Sequence, residues 1–285
     1  MRLIREAARL EEALAPLRAA GRLAFVPTMG ALHDGHMALI EAARRRADRV
    51  VVSIYVNPRQ FGPNEDFDRY PRMLDRDRAR CAAAGVDLLF APQTLYPDDG
   101  PKVTLTVDPE LSGTLCGASR PGHFDGVATV VAILFHLVRP DLALFGEKDW
   151  QQLLIIRRMC ADLHFPIRIE SVPTVREADG LAMSSRNRNL SPAGRRLAAE
   201  LPRVLYWLQN RAAEEAGDCR AWEAEAADRL TRAGIAVEYL TIRDGASLRR
   251  VHRIDQNSRL FAAVRIDGVR LIDNLPLRPA GVERA

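Results

Sequence analysis

Residues 50–56 read VVVSIYV, a nearly continuous β-branched run with no polar face to turn toward water. A strand of that kind sits inside a parallel sheet with both faces covered. Parallel neighbours need crossover connections, and helical stretches stand on either side of this run. Residues 2–20 place Ile4, Ala7, Leu10, Leu14 and Leu17 at helical intervals, and Gly21 marks the stop. Residues 22–26 are a short apolar run broken by Pro27, and 36–46 return to a helical pattern. The pattern predicts a helix over 73–84, a strand over 86–90 and a short alternating edge strand over 103–107. Residues 127–137 are apolar nearly all round, which predicts a buried helix. A strand over 141–145, a helix over 150–161 and a strand over 167–172 complete the series. The alternation predicts an α/β fold with a Rossmann-like doubly wound parallel sheet.

After Pro173 the order changes to helices and then strands. A polar loop, 176–192, leads into helical stretches at 193–215 and 219–233, followed by strands at 236–242, 259–266 and 269–273. That order predicts a smaller C-terminal α+β domain. The 285 residues therefore divide at 1–175 and 176–285, within the usual range of roughly 100–200 residues per domain.

Composition narrows the function classes. The pI near 9.1 suggests nucleic acid, but 41 basic residues face 37 acidic ones with the signs interspersed. No basic run exceeds Arg44-Arg45-Arg46, whereas a nucleic-acid binder concentrates its charge in a patch. Only Lys102 and Lys148 are lysine, so surface charge is supplied by Arg and each lysine invites a specific role. Four scattered cysteines with no CxxC argue against a disulfide scaffold or zinc knuckle. Residues 1–22 carry charges throughout and read as no secretory signal, and the apolar stretch 127–138 is too short to span a bilayer. A cytoplasmic protein with neither membrane nor nucleic-acid partners is expected.

In an open parallel sheet, ligands bind beyond the carboxyl ends of the strands. Four chemically rich loops fall there: 27–36, 57–62, 146–152 and 173–188. The first reads PTMGALHDGH and opens a helix. His33 and His36, at i and i+3, share a helix face, and Gly35 lets a ligand approach the backbone. The exposed N–H groups of a helix N-terminus suit an anion, while the dipole there keeps imidazoles neutral. Such rings can hydrogen-bond or protonate phosphate oxygens as charge develops. A plainer alternative makes His33 the helix cap and His36 a surface residue. A zinc reading lacks a third ligand at suitable spacing.

The second loop, NPRQFG, offers Asn57 and Gln60 to the hydroxyl or carboxylate of a small polar substrate, although Asn-Pro is also a common turn. In the third, Lys148 stands at a strand-to-helix turn beside Gly146, where a phosphate-binding cation belongs. Pairing with Glu147 or Asp149 is the alternative. The fourth, DGLAMSSRN, places two hydroxyls and Arg186 where they can wrap a triphosphate, unless it is only a solvated linker.

Taken together, PTMGALHDGH, VNPRQFGPNEDFDRYPR, GASRPGHFDGV, FGEKDWQQL and VREADGLAMSSRN resemble the pantothenate synthetase (pantoate–β-alanine ligase) family of the HIGH-type nucleotidylyltransferase superfamily. The strong likeness spans 24–190, with a weaker echo at Leu271-Ile272-Asp273-Asn274. It implies ATP-dependent condensation of (R)-pantoate with β-alanine through pantoyl adenylate, releasing pyrophosphate and AMP. By that resemblance the catalytic groups are His36, His33, Lys148, Ser184, Ser185 and Arg186. ATP would meet Met29, Gly30, Ala31, Leu32, His33, Asp34, Gly35 and His36, then Gly146, Glu147, Lys148, Asp149 and Val175, and finally Met183, Ser184, Ser185 and Arg186. Gln60 and Gln152 would hold pantoate, with Gln60 also bordering β-alanine. Magnesium would ride on the ATP phosphates. The C-terminal domain would act as a lid that excludes water from the adenylate. The family is typically a homodimer. Two departures stand out: Arg59 where Met is usual, and Trp150 in place of Phe or Tyr.

Three other classes compete. A simple nucleotidylyltransferase shares the HxGH but releases its adenylated product. An aminoacyl-tRNA synthetase needs a tRNA-binding module that the C-terminal residues hardly provide. A non-catalytic nucleic-acid binder leaves the four polar loops unexplained.

Overall fold

The structure is a computed structural model that describes residues 1–63 and 65–279. The chain forms two compact units. The first is Met1–Gly113, Gly117–Glu147 and Gln152–Pro173, and the second is Thr114–Cys116, Lys148–Gln151 and Thr174–Ala285.

The first unit is built on β1 (Arg2–Ile4), α1 (Leu10–Ala19), β2 (Leu23–Thr28), α2 (Asp34–Arg46), β3 (Arg49–Ile54), α3 (Leu74–Ala83) and β4 (Leu88–Phe90). Two short helices follow, α4 (Pro109–Ser112) and α5 (Cys116–Ser119), then α6 (His123–Val138), β5 (Leu142–Gly146), α7 (Trp150–Asp162) and β6 (Arg168–Val172), with Cys116, Trp150 and Gln151 at the starts of α5 and α7 counted in the second unit. The strands form one six-stranded sheet in the order β1-β4-β3-β2-β5-β6, with every neighbouring pair parallel. Val50, Val51 and Val52 in β3 are at most 1% exposed, as a doubly covered strand requires. Helix α6 buries ten of its residues, including Phe124, Val127, Val131 and Phe135. Strand order reverses between β2 and β5: β3 and β4 lie to one side of β2, and β5 and β6 to the other. The carboxyl ends at such a reversal leave a crevice, the usual ligand site of a doubly wound sheet.

The second unit contains α8 (Pro192–Leu197), α9 (Glu200–Glu214), α10 (Cys219–Arg232) and an antiparallel sheet of β7 (Ala236–Asp244), β8 (Ser258–Ile266) and β9 (Val269–Pro276). The central strand β8 buries every side chain but Arg265. Its apolar residues pack with Leu201, Leu205, Leu208, Trp222 and Leu230 from the helices into one core. All four cysteines are buried thiols: Cys81 and Cys160 in the first unit, Cys116 and Cys219 in the second.

The Rossmann-like sheet and small α+β unit match the sequence reading, with three local corrections. Residues 2–4 are a strand and not the start of a helix. Arg2, Leu3 and Ile4 pair with Leu88, Leu89 and Phe90, so Ile4 is buried through the sheet and its helical spacing is incidental. Residues 103–107 form no strand, and Val103 is 87% exposed. The N–H of Leu105 donates to Thr129 Oγ1 (3.0 Å) and that of Val107 to Asp125 Oδ1 (2.8 Å), so α6 side chains take the place of a neighbouring strand. The helix expected over 193–215 breaks into α8 and α9 around Ala198 and Ala199, both buried.

Candidate active site

In the first unit, the loop after β2 is shaped from behind. Thr28 Oγ1 donates to the Ser53 carbonyl (2.7 Å) and accepts the Gly30 N–H (3.1 Å). Gly30 and Ala31 then take positive φ angles of 81° and 52°. A Cβ on Gly30 would stand 2.9 Å from Ile54 Cγ2, so both conformation and space call for glycine. The turn points the N–H groups of Ala31 and Leu32 at the Asp77 carboxylate on α3, at 2.7 and 2.8 Å. Asp77 is 1% exposed. One helical turn on, Arg80 donates to the Leu32 carbonyl (3.4 Å) and pairs with Asp34. Helix α3 therefore braces the entry to α2.

His33 is the N-cap of α2. Its Nδ1 accepts the Gly35 N–H at 3.2 Å, while His36 Nδ1 accepts the His33 N–H at 3.3 Å. This is a reciprocal capping box built from two imidazoles, with ring centroids 4.1 Å apart. A ring nitrogen that accepts carries no proton, so each ring proton lies on Nε2. The capping alternative for His33 thus holds together with the shared face, since capping is what orients both Nε2–H donors. Ala31 and Leu32 are buried, whereas His33, Gly35 and His36 are half-buried.

The loop after β3 is held as firmly. Asn57, 1% exposed, accepts from Tyr96 OH (2.8 Å) and Arg59 N–H (3.3 Å) through Oδ1. Its Nδ2 donates to the Gly126 carbonyl (3.0 Å) and to Gln60 Oε1 (3.2 Å). Asn57 is therefore an internal brace for Gln60. Gln60 Nε2 donates to Met29 Sδ at 3.1 Å, joining this loop to the first. Its backbone carbonyl accepts from Arg120 Nη2 (3.2 Å) and from His123 Nδ1 (2.8 Å). Arg120 in turn holds Glu65 bidentately at 2.7 and 2.6 Å. Burial, the largest single influence, raises the Glu65 carboxyl, but the hydrogen bonds and charge of Arg120, with His123 and the Gly62 backbone, together hold the group below its ordinary value. Gln152 lies half-buried in the first turn of α7, and its neighbour Gln151 is a structural clamp on the Cys116 N–H (3.0 Å) and the Thr114 carbonyl (2.7 Å). Gly146 ends β5, and Glu147 accepts from Ser171 Oγ at 3.0 Å.

The second unit carries the remaining expected residues. Lys148 Nζ lies 3.8 Å from Asp149 Oδ2, an ion pair too long for a hydrogen bond, so the pairing weighed as the plainer reading of this lysine is present. The Lys148 carbonyl accepts from Asn274 Nδ2 at 2.9 Å. Trp150 donates through its indole N–H to the Gly245 carbonyl (2.7 Å), a bond a phenylalanine could not make, and the Arg259 guanidinium stacks 3.4 Å from its ring centroid. Val175 and Met183 are joined through the backbone, the Met183 N–H donating to the Val175 carbonyl at 3.0 Å. Ser184 caps the turn Ser185–Asn189 by accepting the Arg186 N–H at 3.2 Å. Buried Asn187 secures that turn, donating to Glu177 Oε1 (2.6 Å) and the Ala182 carbonyl (3.1 Å). Residues 183–186 thus form an ordered turn.

Sequence reasoning missed Asp77, Tyr96 and Gly126 as shaping residues. A Cβ on Gly126 would stand 2.3 Å from the Arg59 carbonyl oxygen and 2.9 Å from the Gln60 nitrogen, so α6 can approach the Gln60 loop only there. Its place in GHFDGV is the one signal that pointed to it. Among the described residues, no group of three or more His, Cys, Asp or Glu side chains is placed to hold a metal ion. Among the same residues, no helix is long and apolar enough to cross a membrane.

The likeness to known proteins covers the chain nearly end to end. The family described as pantoate-beta-alanine ligase matches residues 2–276. The pantothenate synthetase of Sphingopyxis alaskensis is 51% identical over 288 residues, covering 97% of this chain and 100% of that protein. That of Acidothermus cellulolyticus is 51% identical over 267 residues, covering 91% and 87%. The crystal structure of the Thermus thermophilus pantothenate synthetase superposes with a TM-score of 0.93 at 46% identity, covering 98% of this chain and 100% of that one. The pantoate-beta-alanine ligase of Francisella tularensis, solved with beta-gamma ATP and beta-alanine, gives 0.82 at 34% identity and covers 97% of each chain. With the family matched over residues 2–276 and a relative 51% identical across 97% of this chain, the chain belongs to the pantoate–β-alanine ligase family.

Proposed function

We propose that the chain condenses (R)-pantoate with β-alanine at the expense of ATP. A pantoate carboxylate oxygen attacks the α-phosphorus, and the bond to pyrophosphate breaks as the acyl–phosphate bond forms. The β-alanine amine then attacks the acyl carbon, loses a proton, and expels AMP. Adenylation is needed because a carboxylate is a poor acyl donor. The observation that carries the reading is the full-length family match, residues 2–276.

Local geometry supports the division of labour. Two capped imidazoles present Nε2–H donors at the N-terminus of α2, suited to phosphate oxygens whose charge grows in the transition state. His36 is the donor at the reacting phosphate, and His33 assists and orients it. Residues 29–36, Gly146, Glu147, Asp149, Val175 and Met183 line the nucleotide, while Lys148, Ser184, Ser185 and Arg186 hold the phosphates. Gln60 offers pantoate an N–H that otherwise meets only a thioether sulfur, a weak acceptor easily exchanged for a hydroxyl or carboxylate. Gln152 is the second pantoate ligand. The division at 175/176, with residues 176–285 as a lid, belongs to the same reading. So do magnesium carried on the ATP phosphates, a homodimer and a cytoplasmic location, all supported by the family resemblance. Sedimentation and a magnesium titration test the assembly and the metal.

ATP and pantoate alone should yield one equivalent of pyrophosphate with enzyme-held pantoyl adenylate, and AMP should be released steadily only when β-alanine is added. Steady AMP release with another carboxylic acid and none with pantoate would overturn the substrate assignment.

A further inference from the structure

Asp273 and Asn274 are adjacent polar residues in β9, only 2% and 4% exposed. Burying two such groups is unfavourable unless they are bonded, so their partners explain their presence. Asn274 Oδ1 accepts from the Arg259 guanidinium, and Nδ2 donates to the Lys148 carbonyl at 2.9 Å. Arginine only donates and a carbonyl only accepts, so the amide has one possible orientation. The Asp273 carboxylate takes Arg176 bidentately at 2.6 and 2.9 Å, and Asp273 Oδ1 also accepts the Asn274 N–H at 2.8 Å.

Arg176 bridges to Ala182 at the base of the hairpin that leads into residues 183–186, and its Nη1 also donates to the Gly180 carbonyl at 2.9 Å. Successive side chains of a strand leave on opposite faces. Leu271 and Leu275, in step with Asp273, lie in the apolar core of the second unit. One dipeptide therefore reaches two loops, the Lys148 turn through Asn274 and the 176–182 hairpin through Asp273. Apolar residues would fill this space but would fix neither loop's register, because only the hydrogen bonds are directional.

We infer that Asp273 and Asn274 are positioning residues that set Lys148 and the 183–186 turn in a fixed relation within the second unit, so that both meet one triphosphate. This rests on the nucleotide assignment given under the proposed function. A misplacement of about 1 Å at such groups is enough to slow chemistry on the order of 100-fold.

The test is rapid-quench measurement of pantoyl adenylate formation, and separately of the β-alanine step from preformed adenylate. The variants are Asn274→Ala, Lys148→Ala and their double, then Arg176→Lys, Arg186→Ala and their double. Arg176→Lys keeps the charge but can reach only one Asp273 oxygen, and it lies outside β9 should Asn274→Ala fail to fold. We expect each positioning variant to slow adenylation about 10-fold or more and the β-alanine step less than about threefold, with pantoate affinity unchanged. Each should add less than about threefold to the loss already present in its partner variant, as coupled groups do. Equal losses in both half-reactions, or losses that add fully, would overturn the inference and mark the pair as structural. Normal adenylation by Lys148→Ala would overturn the site assignment itself, and the inference with it.

Discussion

At the scale of single residues, the site rests on groups that carry two roles at once. His36 both caps α2 through Nδ1 and presents Nε2–H, so alanine removes a cap together with a donor. His36→Ala should lose about 0.5–2 kcal/mol of stability and slow adenylation at least about 100-fold. His36→Asn separates the roles, because its Oδ1 can still accept the His33 N–H. Melting near wild type with adenylation still lost is the expected result, and recovery of turnover in that variant would place the chemistry elsewhere. Asp77 is the quieter case. Its carboxylate accepts two backbone N–H groups in a buried turn, and an amide supplies one acceptor while aiming its own N–H at the other donor. Asp77→Asn should destabilise the protein by about 1–3 kcal/mol in urea melts, with a raised ATP requirement as the turn at Ala31 and Leu32 relaxes. An unchanged KM for ATP would show that the loop holds its shape without the brace.

At the scale of elements, the close approach of α6 to the Gln60 loop sets another expectation. At Gly126 an added methyl meets the Arg59 and Gln60 backbone, which cannot swing aside as a side chain would. Gly126→Ala should cost about 1–3 kcal/mol in stability and weaken pantoate more than ATP in direct titrations. Equal weakening of both ligands would mean that the whole sheet edge had moved. This contact also shows where sequence reading stops. The run VVVSIYV and the apolar 127–137 stretch declared β3 and α6 outright, since burial on all sides leaves no other pattern. The strand-to-helix position of HxGH and the shared face of its histidines were legible, but the reciprocal cap that joins the two rings was not. Asp77 was not, for it sits in the charged run LDRDRAR and only the fold shows which of its acids faces inward. Tyr96 was hidden for the same reason, bonding Asn57 across 39 positions. Strand β1 failed on length, three residues whose partners lie far along the chain in β4.

At the scale of the whole molecule, carboxylates held below their ordinary values set the acid limb of stability. Glu65 is lowered from 4.5 against burial, its largest single influence, by Arg120 together with His123 and the Gly62 backbone. Asp179 is lowered from 3.8 chiefly by its hydrogen bond to Arg195, and Asp244 is lowered against burial by Ser247 and nearby backbone N–H groups. A depressed folded pKa gives stability that is fully present above the unfolded value and lost as pH falls through the folded one. Stability should therefore be insensitive to these groups above about pH 5 and fall progressively below it, with a shallower slope in Glu65→Gln. An equally steep acid limb in that variant would rule the Arg120 pair out as a contributor. The buried thiols have a different consequence. Burial, with Asp77 nearby, pushes Cys81 up to about 12, and burial takes Cys160 and Cys219 to about 11. Since the thiolate is the reactive species, alkylating reagents should touch the native protein only when a segment opens. Cys81 and Cys160 lie in the first unit and Cys219 in the second, so their labelling rates give a clock for the opening of each one separately. Cys81 shares α3 with Asp77 and Arg80, so its rate reports how tightly the histidine loop is braced and should fall when ATP is added.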